Sequence, residues 1–453
     1  MVNALRMSGL VATRQILVDF AGDGEGTDEL SWGQWEIWQA MVDQKSSLPV
    51  GGTAPRADIG VDTVAEELRY LMSRYQTMRT KLVFTDDGRP LQSLSAKGEI
   101  ALEVFEAGDE DPVRLAQRVY DDYTTRPFDL VNEWPVRMAV VCRRDMPVQL
   151  VAIMSHLTTD GQGGMIMIDE VSRRVDAPVD GMQPLEQARW QRSLAGVRQS
   201  EAAMRHFARQ LERIPLGMLA DPSGAGKPRY RKGKLRSPAL RLAVEALAAR
   251  TAVDSSSVLI ALYAIGYATV TAQPVFFTRP IVSNRFRPRL SNVVCMLAQA
   301  GLCVIDVAGR TVDEVIAGTQ GAAMTAYKHA YFDPRRLSLL IDQTAARRGP
   351  AFSASCFFND RRRTGPAEPF AAGSFPVRID RARSQTTFHW VPEREKICDR
   401  LVLGVEDVPD LIELTVDFDT QYVSPHTTEA MLRAMEEVAV AAVADPHHRV
   451  PVG

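Results

Sequence analysis

The chain reads as an α/β protein of two lobes of similar kind. Three observations predict this. Strand-like and helix-like segments alternate up to about residue 180, a Pro/Gly-rich stretch, DAPVDGMQP, then breaks the texture, and the same alternation begins again beyond it. At 453 residues the chain also exceeds one ordinary core. The expected division is an N-terminal lobe over 1–180 and a C-terminal lobe over 181–453, with no short-period repeat.

In the first half, ILVDF is strand-like, and after the loop AGDGEGTDE the pattern LSWGQWEIWQAM predicts a helix with Trp35 and Trp38 on one face. Val64, Leu68, Leu71, Met72 and Tyr75 keep helical spacing, and KLVF followed by TDDGRP predicts a hairpin. Asp111 and Pro112 form an N-cap and first helical position for RLAQRVYDDY. Two strands, VRMAVVC and VQLVAIM, flank the turn RRDMP, and GGMIMIDEVSRRV resumes as a helix.

The second half opens on one long helical segment, LEQARWQRSLAGVRQSEAAMRHFARQLERI, followed by a basic loop, SGAGKPRYRKGKLRSP. Helices are expected near 238–250 and 255–268, the second capped by Asp254, and strands at VFFTRPIV, LVLGVE and LIELTVDF. The last helix is capped by Ser424-Pro425 and carries Met431, Met435, Val438 and Ala442 on one face.

The formal net charge is only −3, so no global field selects nucleic acid or an anionic membrane as partner. Cys142, Cys295, Cys303, Cys356 and Cys398 are odd in number and scattered, with no C-x-x-C, which argues against a zinc site or a disulfide framework. The N-terminus lacks the features of a secretory signal, and the longest apolar stretch, from Val258, is too short to span a membrane. A reducing cytoplasm is the expected compartment, with no metal and no tightly bound cofactor.

The segment with chemistry in it is SHLTTDG, residues 155–161. Here an apolar strand breaks to place His156 and Asp160 four residues apart on a loop before a helix, where a rigid sheet presents reactive groups. A histidine titrates near neutrality and can take a proton from an attacking nucleophile.

This segment resembles the H-H-x-x-x-D-G motif of the condensation domains of nonribosomal peptide synthetases. Collinear matches extend the resemblance: LSWGQWEIW at 30–38 is similar to L-S-x-x-Q-x-x-x-W, RYQTMRT at 74–80 to R-H-E-x-L-R-T, and RPFDL at 126–130 to P-F-D-L. VSNRFRP and NVVCMLAQAGLCVIDV resemble V-S-G-R and the following G-x-F-V-N-T-L-P-L-R-V, and HAYFDP weakly resembles H-Q-D-x-P-F. The matches run in order from about residue 28 to 446.

The resemblance implies a chloramphenicol-acetyltransferase-like fold of two lobes in a V-shaped arrangement, with tunnels for donor and acceptor meeting at the motif loop. It implies a free-standing, monomeric acyltransferase of specialised metabolism. Such an enzyme joins an acyl or aminoacyl thioester, carried on the phosphopantetheine of an acyl or peptidyl carrier protein, to an amine or hydroxyl acceptor. His156 takes the proton-handling role. Asp160 is expected to pair with Arg285 and brace the loop, while Gly161 either offers an N–H to an oxyanion or is a turn glycine opening a helix. Thr387 and His389 lie on one face of a strand on the acceptor side. The sequence departs from the family at Ser155, which stands where the first histidine would be, and at Cys295 and Gln299, where glycine and asparagine are usual. Two other readings follow: a coenzyme-A-dependent acyltransferase on the same fold, and a non-catalytic carrier-binding module suggested by Ser155.

Other features read more plainly. SGAGKP is not a phosphate loop, because Asp221 occupies the first glycine position and Pro228 follows the lysine. Lys227, Arg229, Arg231, Lys232, Lys234 and Arg236 read as a solvated loop or as a docking site for an acidic carrier or coenzyme A phosphates, and Arg361, Arg362 and Arg363 invite the same two readings. His329, His426, His447 and His448 read as surface or terminal residues.

Overall fold

The structure is a computed structural model describing residues 10–56, 59–219, 226–363, 375–392 and 399–450. Cys398 and Asp221 lie outside the described residues. The chain divides into two compact units: unit 1 comprises residues 1–197 and 283–298, and unit 2 comprises 198–282 and 299–453.

In unit 1 the elements run β1 (Arg14–Ala21), β2 (Gly26–Glu29), α1 (Trp32–Asp43), β3 (Pro49–Pro55), α2 (Val61–Arg74), β4 (Thr80–Phe84), β5 (Pro90–Leu94), β6 (Lys97–Glu106), α3 (Pro112–Thr125), β7 (Val136–Arg143), β8 (Met146–Ser155), α4 (Gly161–Arg173) and α5 (Pro184–Arg192). Five strands form one sheet in the order β1-β6-β7-β8-β3, and β2-β5-β4 form a small second sheet that includes the expected hairpin. The sheet is covered on both faces. One core joins α2 to Val18, Leu102, Val140 and Met154, and the other joins α3 to Ala139, Val141, Val151 and Ile153. Strands buried on both faces lose polar alternation, so β7 is buried from Val136 to Cys142.

Strand β3 lay beyond the hydrophobic pattern. The chain of β3, PVGGTAP, has none of the β-branched alternation of a strand, yet it pairs with β8 from Pro49↔Ser155 to Pro55↔Gln149. Its place at the sheet edge tolerates both prolines. Strand β6, by contrast, alternates Ile100, Leu102 and Val104 toward the core, and it pairs antiparallel with β1 and parallel with β7.

Unit 2 receives most of α6 (Leu194–Arg213) and continues with β9 (Tyr230–Ser237), α7 (Pro238–Thr251), α8 (Ser255–Thr271) and β10 (Val275–Val282). After residues 283–298 it resumes with β11 (Gln299–Ala300), β12 (Cys303–Asp306), α9 (Val312–Lys328), α10 (Pro334–Arg348), β13 (Cys356–Asp360), α11 (Phe375–Arg383), β14 (Thr387–Trp390), β15 (Leu401–Glu406), β16 (Ile412–Asp419) and α12 (Pro425–Ala444). The sheet order is β11-β10-β13-β15-β16-β9-β14, with β12 also paired to β10. Its core is centred on α8, whose residues from Val258 to Ile265 are fully buried. Asp254 and Ser424 cap α8 and α12 as expected, accepting from the amides of Ser257 and Thr427. Among the described residues no single helix is long and apolar enough to cross a membrane.

Three expectations are corrected. The long helix after residue 184 is two helices, α5 and α6, broken at Ser193, whose hydroxyl donates to the Trp190 carbonyl at 2.6 Å. The Pro/Gly stretch near 180 is no boundary, because Met182 is buried and its amide donates to the Arg289 carbonyl at 2.8 Å within unit 1. The basic loop is, from Tyr230, strand β9 between β16 and β14. Four of its cations face carboxylates, Arg229 with Asp419, Lys232 with Asp417, and Lys234 and Arg236 with Glu413, while Arg231 lies over the Trp390 ring at 4.4 Å. Arg361, Arg362 and Arg363 likewise pair with Glu406, Asp360 and Asp407.

Candidate active site

Strand β8 ends at Ser155, and the turn that follows is closed by its own backbone. The Ser155 amide donates to Pro135 O at 2.9 Å, while the Thr158 amide and hydroxyl both donate to Ser155 O, at 3.0 and 2.8 Å. Ser155 is itself fully buried, and its Oγ accepts from the Leu157 amide at 3.4 Å. The residue at the first-histidine position is therefore a turn-former in the protein wall.

Of residues 155–160, only His156 escapes full burial. Its Nδ1 lies 2.9 Å from the carbonyl of Thr159. A carbonyl can only accept, so Nδ1 carries the proton and the lone pair of the neutral ring is on Nε2. The loop thus fixes both the tautomer and the plane of the imidazole.

Asp160 is the N-cap of α4 and is used to saturation. Oδ1 accepts from the Gly163 amide at 2.8 Å and lies 2.7 Å from Arg285 Nη1, and Oδ2 accepts from that Nη1 at 2.9 Å and from the amides of Leu297 and Ala298 at 3.0 and 2.9 Å. Arg285 spends its remaining donors on carbonyls, with Nη2 on Val293 O at 2.9 Å and on Cys295 O at 3.1 Å. Both side chains are buried, so every polar atom in the pair needs such a partner. The expected pairing of Asp160 with Arg285 is present, and its carboxylate has no capacity left for chemistry.

Sequence reasoning missed a third function of this cluster: it clasps residues 283–298 into unit 1. Gln187 donates to Cys295 Sγ at 3.2 Å, the Thr77 hydroxyl donates to Val294 O at 3.4 Å, and Gly33 lies so close to the Met296 carbonyl that no side chain fits there. Cys295 is buried, which pushes its thiol up to about 12 and leaves it protonated.

The close-approach glycine is Gly163. A Cβ there would run into Thr159 Oγ1 and come within 2.7 Å of Arg285 Nη2, whereas a Cβ on Gly161 would meet nothing within 4 Å. Gly161 is exposed at the first position of α4. The second glycine of the run GQGG was the only signal for Gly163 in the sequence. Gln299, the other departure, bridges the backbone of Phe332 in unit 2, donating to its carbonyl at 3.0 Å and accepting from its amide at 3.2 Å.

Thr387 and His389 share one face of β14, as strand alternation requires, and that face is exposed, while Phe388 and Trp390 pack on the unit 2 core. Trp32 is buried against Trp190, and Trp35 and Trp38 pack on the α3 side of the unit 1 sheet. His329 differs from a surface residue: it is half-buried and stacked on His206.

Residues 54–451 match the family model described as Condensation domain. This chain is a member of the condensation-domain family. Condensation domains form amide or ester bonds from substrates bound to carrier-protein phosphopantetheine. Among curated proteins, the chain is 22% identical over 403 residues to nonribosomal peptide synthetase kk1B of Curvularia clavata, covering 82% of this chain and 3% of the synthetase. Among solved structures, the condensation domain from Monacolin K polyketide synthase MokA matches with a TM-score of 0.73 at 16% identity, over 94% of this chain and all of that one. SgcC5 of Streptomyces globisporus matches with a TM-score of 0.68 at 19% identity, over 93% of this chain and 100% of that one. These likenesses establish the chloramphenicol-acetyltransferase-like two-lobe fold.

Proposed function

We propose that this condensation domain transfers an acyl or aminoacyl group from a carrier-bound thioester to an amine or hydroxyl acceptor, with His156 handling the acceptor's proton. The observation that carries the reading is the fixed His156 tautomer, with Nδ1 committed to Thr159 O and the lone pair on Nε2. As the acceptor nitrogen or oxygen bonds to the thioester carbonyl carbon, its proton passes to Nε2. Collapse of the adduct breaks the C–S bond, and the sulfur leaves as a thiol with that proton. The amide of Gly161, at the N-terminal end of α4, serves the oxyanion in this reading.

One observation favours a second reading. Ser155 replaces a histidine of the family motif and is buried in the turn, as it would be in a module that binds carrier proteins without catalysis.

The deciding experiment supplies loaded carrier protein or free acyl-CoA together with a panel of amines and alcohols. Product from the loaded carrier, lowered by about 10²–10⁴ in His156→Ala, is the expected result. Undiminished product from His156→Ala overturns the assignment, product from acyl-CoA alone moves the donor to coenzyme A, and carrier binding without product under any donor establishes the second reading.

A further inference from the structure

We propose that unit 2 holds a binding site for a short-chain monocarboxylate, in the cleft between α6, β12 and α9. The cleft has a volume of about 270 Å³ and is lined by residues of unit 2 alone. A cavity of roughly 150 Å³ already admits benzene, so this one has room for a somewhat larger molecule.

Its chemistry is graded along α6. His206, Gln210 and Arg213 line it at helical spacing, so the cleft runs along the helix from a buried end to an exposed one. At the buried end, the His206 Nε2–H donates to the Leu302 carbonyl at 3.1 Å, and the ring stacks on His329 with centroids 4.7 Å apart. Burial pushes the His206 pKa down, so this end is uncharged at neutral pH. Leu302 and Val304 supply an apolar floor.

The exposed end carries the cation. Arg213 Nη2 contacts Asp306 at 3.1 Å in a half-exposed, weakly held pair, and Nη1 donates to Gln210 Oε1 at 3.4 Å. That contact turns the Gln210 oxygen toward Arg213 and leaves the amide NH₂ as a donor. A single guanidinium beside an amide donor, with an apolar and neutral interior, suits one carboxylate with an aliphatic tail. It suits neither a dianion nor a cation.

Hexanoate titrated into the full-length protein, followed by calorimetry and saturation-transfer NMR, tests the site directly and does not depend on acyl-transfer activity. Saturable binding is expected, weakened roughly tenfold by Arg213→Gln and strengthened several-fold, on the order of a lost like-charge contact, by Asp306→Asn. Gly321→Leu should abolish it. Gly321 lines the cleft within α9, a Cβ there meets nothing within 4 Å, and leucine is the better helix former, so that variant keeps its fold while filling the space. The absence of saturable hexanoate binding, equal binding of hexanol or hexylamine, or binding indifferent to both Gly321→Leu and Asp306→Asn overturns the proposal.

Discussion

Gly163 and Gly161 are two residues apart and opposite in what they tolerate. Alanine at 163 drives a methyl group into Thr159 Oγ1 and the Arg285 guanidinium. Arg285 cannot yield, because its donors are committed to Asp160, Val293 and Cys295. Overpacking of a locked site typically costs about 1–3 kcal/mol, more than the roughly 0.5–1 kcal/mol that alanine returns in helix propensity. Gly163→Ala is therefore expected to lower stability in denaturant titration, and Gly161→Ala, facing open space, to leave it unchanged or slightly raised. The sequence pointed to His156, Asp160 and Arg285 because each falls in a motif of fixed spacing. It did not single out Gly163, since the need for glycine comes from a guanidinium that arrives 122 residues later in the chain. His206 was hidden for a similar reason: a histidine amid the charges of MRHFARQ carries no mark of burial. Its folded pKa lies below its unfolded value, so the unfolded chain binds more protons in acid. The stability it contributes is complete above the unfolded pKa near 6.5 and is lost as pH falls from there toward the folded value. Wild type should thus lose more stability than His206→Gln between about pH 7 and pH 5, and equal slopes for the two would refute a buried, neutral His206.

At the scale of elements, residues 283–298 show how one carboxylate can organise a segment. Asn at 160 keeps the shape of the aspartate but leaves the buried Arg285 cation uncompensated, which in comparable settings costs about 3–5 kcal/mol. The loss should be local as well as global. The Leu297 and Ala298 amides, which now donate to Asp160 Oδ2, are expected to exchange with deuterium much faster in Asp160→Asn, while amides of the β7–β8 ladder change far less. Uniform acceleration across unit 1 would instead make Asp160 a global stabiliser with no special hold on the segment. Elements with strong hydrophobic period, such as α2, α3, β7, β8 and α12, were legible from the sequence, because burial of one face or both is written into their own residues. Strand β9 was not. Lys232, Lys234 and Arg236 read as a solvated loop because the carboxylates that make a strand of them, Glu413 and Asp417, lie far along the chain on β16. Edge strand β3 was invisible for the opposite reason, having almost no side-chain signal and owing its form to the backbone donors and acceptors of β8.

At the scale of the whole molecule, two lobes could be read from the chain, but the point of division could not. A Pro/Gly-rich stretch is a good linker by composition, yet residues just beyond 180 belong to unit 1: Met182 is bonded to Arg289, and Gln187 to Cys295. The chain also leaves unit 2 after Val282 and returns at Gln299, and no compositional shift announces that excursion. Val294 from this excursion is buried in the same core as Val64, Leu68 and Met154. A fragment ending at residue 180 therefore lacks Arg285 for Asp160, Val294 for its core and all of α5, and its deficit includes an unpaired buried carboxylate as well as missing apolar surface. Such a fragment should show no cooperative thermal transition by circular dichroism. Residues 1–197 joined through a flexible linker to 283–298 restore each of these partners and should unfold cooperatively, with the Asp160→Asn change abolishing the transition again. If the fragment ending at 180 folds as cooperatively as the joined one, then the excursion merely rests on unit 1, and the Asp160–Arg285 pair contributes nothing to its fold.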